Sequence, residues 1–162
     1  MHKFMLSVVF AGLFCLPAVA QDHPKVELFG GYQYTHLEPT LNAHGWNASI
    51  TGNMNHWFGL TADFSGAYKS GLKFHTYMFG PVLTARQSER VTPFVHALFG
   101  GAHASDGVSF NGFSMALGGG LDVKVNNNMA VRFVQADWLL TRFEGITDKK
   151  NARVSTGIVF RF

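Results

Sequence analysis

The sequence has a single cysteine and no long apolar run after its first twenty residues. The cysteine is Cys15, inside those residues, so the remainder of the 162-residue chain has no thiol with which to form a disulfide. No later segment reaches the roughly 18 consecutive apolar residues that a spanning helix needs. Disulfide staples and membrane-spanning helices are therefore both excluded as the means of holding this chain together. If it crosses a membrane, it does so as strands.

Charge and recognisable ligand clusters are scarce as well. Charged residues make up 14% of the chain, and its 13 lysines and arginines are scattered without a basic run, so nucleic-acid binding has no support. The histidines lack metal-ligand spacing such as H-x-x-x-H. Gly118-Gly119-Gly120 lies within a strand pattern and no helix follows it, so it is not a phosphate-binding loop. We expect no metal and no cofactor.

The first twenty residues have the pattern of a secretory signal peptide. His2 and Lys3 form a short basic start, residues 4–16 form an apolar core, and Ala-Val-Ala at 18–20 is a small-residue cleavage site. The pattern predicts a cleaved signal peptide over residues 1–20. The mature part, residues 21–162, is then a single exported domain without cysteine.

Glycine and phenylalanine are abundant, with 18 and 16 copies. Many glycines beside many aromatic residues favour strands and tight turns over helices. Apolar and polar residues alternate with a period of two between turn signals rich in Gly, Asn, Ser and Pro, which predicts eight strands. The predicted strands cover residues 25–36, 44–53, 56–67, 72–86, 91–103, 110–125, 129–143 and 152–162.

Two of these strands break the simple alternation. The fourth carries apolar residues on both faces, so the pattern does not define which face points inward. In the seventh, Phe133 has one parity and Trp138 has the other, which predicts a β-bulge near residues 134–135. Such a bulge would place both Arg132 and Asp137 on the inner face.

The connections between the predicted strands differ in length. Those after strands 2, 4 and 6 are short, whereas those after strands 1, 3, 5 and 7 are mostly longer and more polar. The even number of strands places both termini at the end with the short turns. We expect the longer connections, around Glu38, Ser105 and Glu144, to carry an exposed binding surface.

One face of the strands carries too many charges for a soluble core. Small residues separate these charges, as expected for the lumen of a small barrel that side chains fill. The charges must then pair, because an unpaired buried charge costs several kcal/mol. Glu27 is predicted to face Arg153 or Arg161 across the closing seam. The predicted lumen network comprises Glu27, Asp63, Asp122, Lys124, Arg132, Asp137, Arg153 and Arg161, with Asp122 and Lys124 facing Arg132.

An alternative interpretation treats the same charges as the solvated outer surface of a soluble, lipocalin-like barrel. That protein would be soluble without detergent and would show no heat-modifiable shift on a gel. The aromatic residues favour the membrane interpretation, because Trp and Tyr form girdles at both interfaces of membrane barrels. The candidate girdle residues are Tyr32, Tyr34, Trp46, Trp57, Tyr68, Tyr77 and Trp138, of which Trp57 has the parity of the lumen.

The last eight residues, Ser155 to Phe162, carry a recognisable pattern. Ser155, Gly157, Phe160 and Phe162 match the C-terminal signature of bacterial outer-membrane β-barrels, which is a polar residue, then x-Gly-x-x-aromatic-x-aromatic. The stretch resembles that signature position by position. The resemblance implies that these four residues are an assembly signal, read by the barrel-assembly machinery.

The whole mature chain resembles the small eight-stranded outer-membrane proteins of the OmpA/OmpX type. The resemblance implies an all-β fold: an eight-stranded antiparallel up-and-down transmembrane β-barrel with periplasmic N- and C-termini. It also implies a monomer among outer-membrane lipid and lipopolysaccharide. A barrel of this size is packed rather than open, so we expect a structural or surface-binding role and no diffusion pore.

His103 and Ser105 form the only pair with a catalytic pattern. Residues two apart on a strand share a face, so the imidazole could take the hydroxyl proton. The pair resembles the His-x-Ser of outer-membrane lipid A deacylases, which implies a lipid-A-modifying enzyme as an alternative function. It lies on strand 5 rather than near the C-terminus, and Leu117 occupies the region where that family has an acid. We expect no enzymatic activity.

Overall fold

The computed structural model describes residues 23–37, 41–143 and 146–162. Eight antiparallel strands form one closed barrel in which every strand pairs with its sequence neighbours and the last pairs with the first. The predicted eight-stranded antiparallel barrel is confirmed. The strands are β1 (Val26–Leu37), β2 (Leu41–Asn53), β3 (Phe58–Lys69), β4 (Leu72–Thr84), β5 (Val91–Asp106), β6 (Val108–Asn126), β7 (Met129–Phe143) and β8 (Ile146–Arg161). Within the described residues, no helix has the length and apolarity needed to cross a membrane.

The start of β1 and the end of β8 lie at one end of the barrel, which we call the terminus end. There the Lys25 amide donates to the Phe162 carbonyl (2.6 Å), and the Phe162 amide donates to the Val26 carbonyl (2.9 Å). The connections β2–β3, β4–β5 and β6–β7 also lie at this end. They comprise residues 54–57, 85–90 and 127–128. The opposite end is called the far rim.

Two hairpins at the far rim, β3–β4 and β5–β6, are tight, which corrects the prediction of longer loops after strands 3 and 5. Ser70 and Gly71 alone join β3 to β4, and both have positive φ (44° and 98°). Two central residues of that kind make a turn whose twist matches the flanking strands. Gly107 alone joins β5 to β6.

The predicted loop regions around Ser105 and residues 144–151 are therefore mostly strand. Ser105 lies within β5, opposite Ser109 of β6, and β8 begins at Ile146. Polar side chains give these paired strand segments the composition of loops. Glu38 and Glu144 lie outside the described residues.

The two faces of the sheet have inverted polarity relative to a soluble barrel. Inward side chains are buried and often polar, whereas outward side chains are exposed and mostly apolar. On β4, the pattern left the facing undefined because both faces are apolar. Phe74, Met78 and Val82 point inward and are buried, and Tyr77 and Phe79 point outward and are exposed.

A β-bulge in β7 lies one residue before its predicted position. Phe133 and Val134 together occupy the space opposite one residue of β8, because Arg132 pairs with Gly157 and Gln135 pairs with Ser155. The bulge changes the parity of the strand. Both Arg132 and Asp137 consequently point into the lumen, as the sequence predicted.

Candidate functional site

Arg153 is the centre of the charged lumen. Its guanidinium donates to Asp63 on β3 (Nη1 to Oδ1, 2.7 Å) and to Asp137 on β7 (Nε to Oδ2, 2.7 Å). His96 on β5 donates to the second oxygen of Asp137 (2.7 Å). The Arg153 side chain is only 1% exposed, so this cluster joins four strands across a lumen that excludes bulk water.

Arg132 forms a second cluster, nearer the terminus end. It binds Asp122 in bidentate fashion (2.8 and 3.1 Å) and donates to Gln135 (2.8 Å). Its guanidinium lies between the rings of Phe29 and Phe94, at 4.4 and 4.2 Å from their centroids. The planar guanidinium stacks on two rings and also forms a bidentate hydrogen bond with a carboxylate. A lysine ammonium could not make both interactions.

Glu27 connects the seam to the rest of the lumen. It lies 3.6 Å from Arg161 on β8, as predicted across the closing seam, and accepts hydrogen bonds from Asn53 (2.9 Å) and Arg86 (2.5 Å). Its other predicted partner, Arg153, lies with Asp63 instead. Sequence reasoning missed Arg86, because it follows β4 in a turn segment to which strand parity does not apply.

Lys124 is the one member of the predicted lumen network that lies outside it. Its side chain is exposed at the terminus end, although it shares a parity with the buried Asp122. The β6–β7 register shifts between Lys124 and Asn126. Strand parity fails here because β6 runs past the end of the closed lumen, where both faces meet solvent.

Apolar side chains close the lumen on the far-rim side of the charges. Along the inward face of β5, Phe94, His96, Leu98 and Ala102 follow one another toward the far rim. Leu98 belongs to a buried cluster that includes Leu139, and Ala102 belongs to a second one with Phe74. A charged layer is thus overlain by two apolar layers.

The four residues of the predicted assembly signal lie along the β1–β8 seam. Ser155 is buried opposite Gln33, and Gly157 lies opposite Gly31. A Cβ atom at Gly157 would lie 2.3 Å from the carbonyl oxygen of the neighbouring strand. Phe160 and Phe162 point outward, and Phe162 is 60% exposed. The aromatic residues are therefore available to an external partner, whereas the glycine serves the close approach of two strands.

His103 and Ser105, the weak catalytic candidates, lie on the outward face of β5 near the far rim. His103 donates through Nδ1 to Asn111 on β6 (2.7 Å). That bond turns the imidazole toward the neighbouring strand. Among the described residues, no group of three or more His, Cys, Asp or Glu side chains is placed to hold a metal ion.

Solved structures with the same architecture come from several outer-membrane proteins. Neisserial surface protein A matches with a TM-score of 0.65 at 13% identity, covering 85% of this chain and 96% of that one. The N-terminal barrel domain of Pseudomonas aeruginosa OprF matches with a TM-score of 0.61 at 14% identity, covering 87% and 100%. The attachment invasion locus protein Ail of Yersinia pestis, in complex with the heparin analogue sucrose octasulfate, matches with a TM-score of 0.56 at 19% identity, covering 86% and 99%.

At these identities the structural matches show a shared fold. No curated protein matches the sequence. The family model described as the outer membrane protein beta-barrel domain matches residues 6–162, nearly the whole chain. The chain belongs to this outer-membrane β-barrel family, and its place is the outer membrane.

Proposed function

We propose that this protein is a monomeric, non-enzymatic barrel with a structural or surface-binding role and no open pore. In the proposed arrangement a cleaved signal peptide directs its export, both termini are periplasmic, and the far rim faces outward. The observation that carries this proposal is that buried side chains bridge the lumen, although a cavity lined by Glu27, Asp122 and Arg132 remains toward the terminus end. Arg153 ties two carboxylates together across it, and the Leu98 and Ala102 clusters lie between that layer and the far rim.

Each layer of the lumen opposes conduction for a physical reason. An ion passing the apolar clusters would lose its hydration beside apolar side chains. The polar groups at these levels, such as Thr141 and Asn151, already bond each other, so passage is costly. At the charged layer it would have to displace a buried guanidinium from Asp63 and Asp137. Breaking a buried ion pair by removing one partner typically costs several kcal/mol. A closed lumen leaves the outer surfaces of the barrel as the place where a function can reside.

The charges that the structure describes at the far rim favour anionic partners. Lys69, Lys73 and Arg142 are exposed there. Among the side chains that the structure describes, every carboxylate lies in the lumen except that of Glu89, which is in a turn at the terminus end. The Yersinia pestis neighbour was solved with a sulfated sugar, which is a polyanion. We propose that the far rim of this chain likewise suits anionic surface partners.

A deacylase-like activity is the alternative that the proposal sets aside. The imidazole of His103 is hydrogen-bonded to Asn111 rather than aimed at Ser105. Each carboxylate that could orient it, within the described residues, is in the lumen or at the other end of the barrel. We expect Ser105→Ala to leave the acylation pattern of lipid A unchanged, as measured by mass spectrometry of extracted lipid; an altered pattern would establish an enzyme.

The proposal is tested by reconstituting the purified protein in planar bilayers. We expect a heat-modifiable band on an unboiled gel, which reports the folded barrel, together with no stepwise conductance. Discrete current steps from a folded preparation would overturn the closed-lumen proposal. A preparation without the gel shift would contradict the membrane-barrel interpretation itself, because that result is what the soluble, lipocalin-like alternative predicts.

A further inference from the structure

The outward face of β4 changes chemistry in a fixed order toward the far rim. Leu83, Phe79 and Tyr77 are followed by His75 and then Lys73, all on the same face. The change from apolar residues through an aromatic residue to a cation is what a strand shows where hydrocarbon gives way to headgroups. His75 and Lys73 are thereby placed at headgroup level.

His75 is held by a chain of hydrogen bonds. The indole nitrogen of Trp46 on β2 donates to the hydroxyl oxygen of Tyr68 on β3 (3.2 Å), and that hydroxyl lies 3.1 Å from Nε2 of His75. The tyrosine hydroxyl can either donate to Nε2 or accept from it, so these bonds hold the ring of His75 without fixing which nitrogen carries the hydrogen. Nδ1 of His75 takes no part in this chain of bonds.

His103 lies directly opposite His75 on the neighbouring strand. Its Nδ1 donates to Asn111, which leaves Nε2 for another partner. Lys73 is exposed and lies opposite Ser105, one step further toward the rim. Directly opposed side chains on an antiparallel pair begin about 5 Å apart, so these groups border one patch of the surface.

We propose that Lys73, His75 and His103, the rim patch, bind a phosphate group of lipopolysaccharide in the outer leaflet. The inference rests on the proposed orientation of the barrel, with the far rim outward. The three nitrogen-bearing side chains occupy adjacent outward positions of β4 and β5, and no described carboxylate shares that face with them. Lys73 supplies a permanent charge and donors at this site, and each histidine presents one ring nitrogen that the described hydrogen bonds leave unused.

The choice of a lipid phosphate follows from position. The patch faces sideways from the barrel wall, above Tyr77, rather than along the axis toward the medium. A soluble polyanion approaching from outside would meet the hairpin tips first, whereas a headgroup in the same leaflet lies beside the patch. Charge-assisted hydrogen bonds from an ammonium group to phosphate are the stronger kind.

The test compares lipid A with enzymatically dephosphorylated lipid A. The folded protein is placed in nanodiscs containing one lipid or the other, released into mild detergent, and weighed by native mass spectrometry. We expect wild-type protein to retain lipid A, and the variant K73Q/H75N/H103N to retain it about tenfold more weakly. Lys124→Gln is the matched control, since it removes an exposed cation at the terminus end, and it should retain lipid A as wild type does.

The outcomes separate the inference from the proposed function. Equal retention of phosphorylated and dephosphorylated lipid, or an unaffected triple variant, would overturn the rim patch as a phosphate site. Equal loss in Lys124→Gln would do the same, because it would show general charge attraction. If the patch binds lipid A in nanodiscs but surface labelling of intact cells places Lys73 on the periplasmic side, the orientation fails while the binding chemistry stands.

Discussion

Arg153 shows how a barrel can bury charge without a surrounding apolar core. Its Nη1 and Nε donate to carboxylates from β3 and β7, and one of those carboxylates also accepts from His96. The geometry satisfies the ions locally, so the cost of desolvation is offset by short, charge-assisted bonds. Asp63 and Asp137 would repel each other without the guanidinium between them.

We therefore expect Arg153→Met to lower the free energy of unfolding by about 3–5 kcal/mol, since two buried carboxylates lose their shared partner. Urea unfolding of the folded protein in detergent, followed by tryptophan fluorescence, measures the change. Lys124→Met serves as control and should shift stability by less than about 0.5 kcal/mol, because its side chain is exposed.

Replacing the whole cluster sharpens the expectation. The variant D63N/D137N/R153M removes the charges together, so it should recover part of the stability lost in Arg153→Met. A triple variant as unstable as the single one would indicate that Arg153 acts through packing rather than through charge.

At this scale the sequence predicts faces better than partners. Period-two alternation correctly placed Asp63, Asp122 and Arg132 inside, because parity is a local property. The pairing of Asp63 with Arg153 joins strands that are not neighbours, and it depends on the tilt and register of the whole barrel. For Lys124 the predicted face itself is wrong, because strand parity does not determine burial where a strand extends beyond the lumen.

The β1–β8 seam is the element in which sequence and geometry are most tightly coupled. Gly31 and Gly157 are directly opposed, and a Cβ on Gly31 would lie 2.0 Å from the Thr156 carbonyl oxygen. Backbone atoms cannot yield to such a contact, as the end of a long side chain could. The glycine of the assembly signal is thus also a requirement of closure.

Gly157→Val should destabilise the barrel by about 1–3 kcal/mol through overpacking at the seam. The expected result is a smaller heat-modifiable fraction on an unboiled gel after refolding in detergent. Gly30→Val is the matched control on the same seam, because nothing lies within 4 Å of its added Cβ. Equal loss in both variants would mean that β propensity, not the close approach, governs the site.

A substitution at Phe162 can test assembly in cells independently of the stability of the barrel. Its side chain points outward and is exposed, while its backbone pairs with β1. We expect Phe162→Ala to refold in pure lipid vesicles as wild type does, and to accumulate less in the outer membrane of cells, as measured by fractionation. Normal accumulation in cells would contradict the proposed role of Phe162 as a signal for the barrel-assembly machinery.

The hairpins at the far rim are the elements that the sequence predicted least well. Polar residues near Ser105 gave the composition of a loop, yet β5 and β6 remain paired until Gly107. Pairing across a tight turn satisfies the backbone without help from apolar side chains. Composition alone therefore cannot separate an exposed hairpin from an exposed loop, whereas the Ser-Gly step at 70–71 was a usable signal.

For the molecule as a whole, orientation is the property on which the proposed function depends. The chain has no cysteine after Cys15, so single cysteines can be introduced as unique labels. We expect Lys69→Cys, at the far rim, to react with a membrane-impermeant maleimide in intact cells. Asn127→Cys, at the terminus end, should react only after the outer membrane is opened; the reverse pattern would place the termini outside.

The architecture of the whole barrel was predictable because it rests on two global regularities. Eight alternating segments fix the strands, and charged residues on the face opposite the apolar one indicate a filled lumen rather than a soluble core. Function was less accessible. The rim patch draws on β4 and β5, while its ordering bonds come from β2, β3 and β6, and no single segment displays that combination.

Closure of the seam has a consequence for chain connectivity. β1 and β8 pair residue against residue, as any other two neighbours do, and Lys25 and Phe162 are within hydrogen-bonding distance. Topologically, the seam is a hairpin without its connecting turn. A circularly permuted gene that joins these ends and opens the chain at Ser70-Gly71 would preserve every strand pair while moving Ser155–Phe162 into the interior of the sequence. Such a molecule would keep the strand pairing that determines the fold but would no longer carry the proposed assembly signal at its C-terminus.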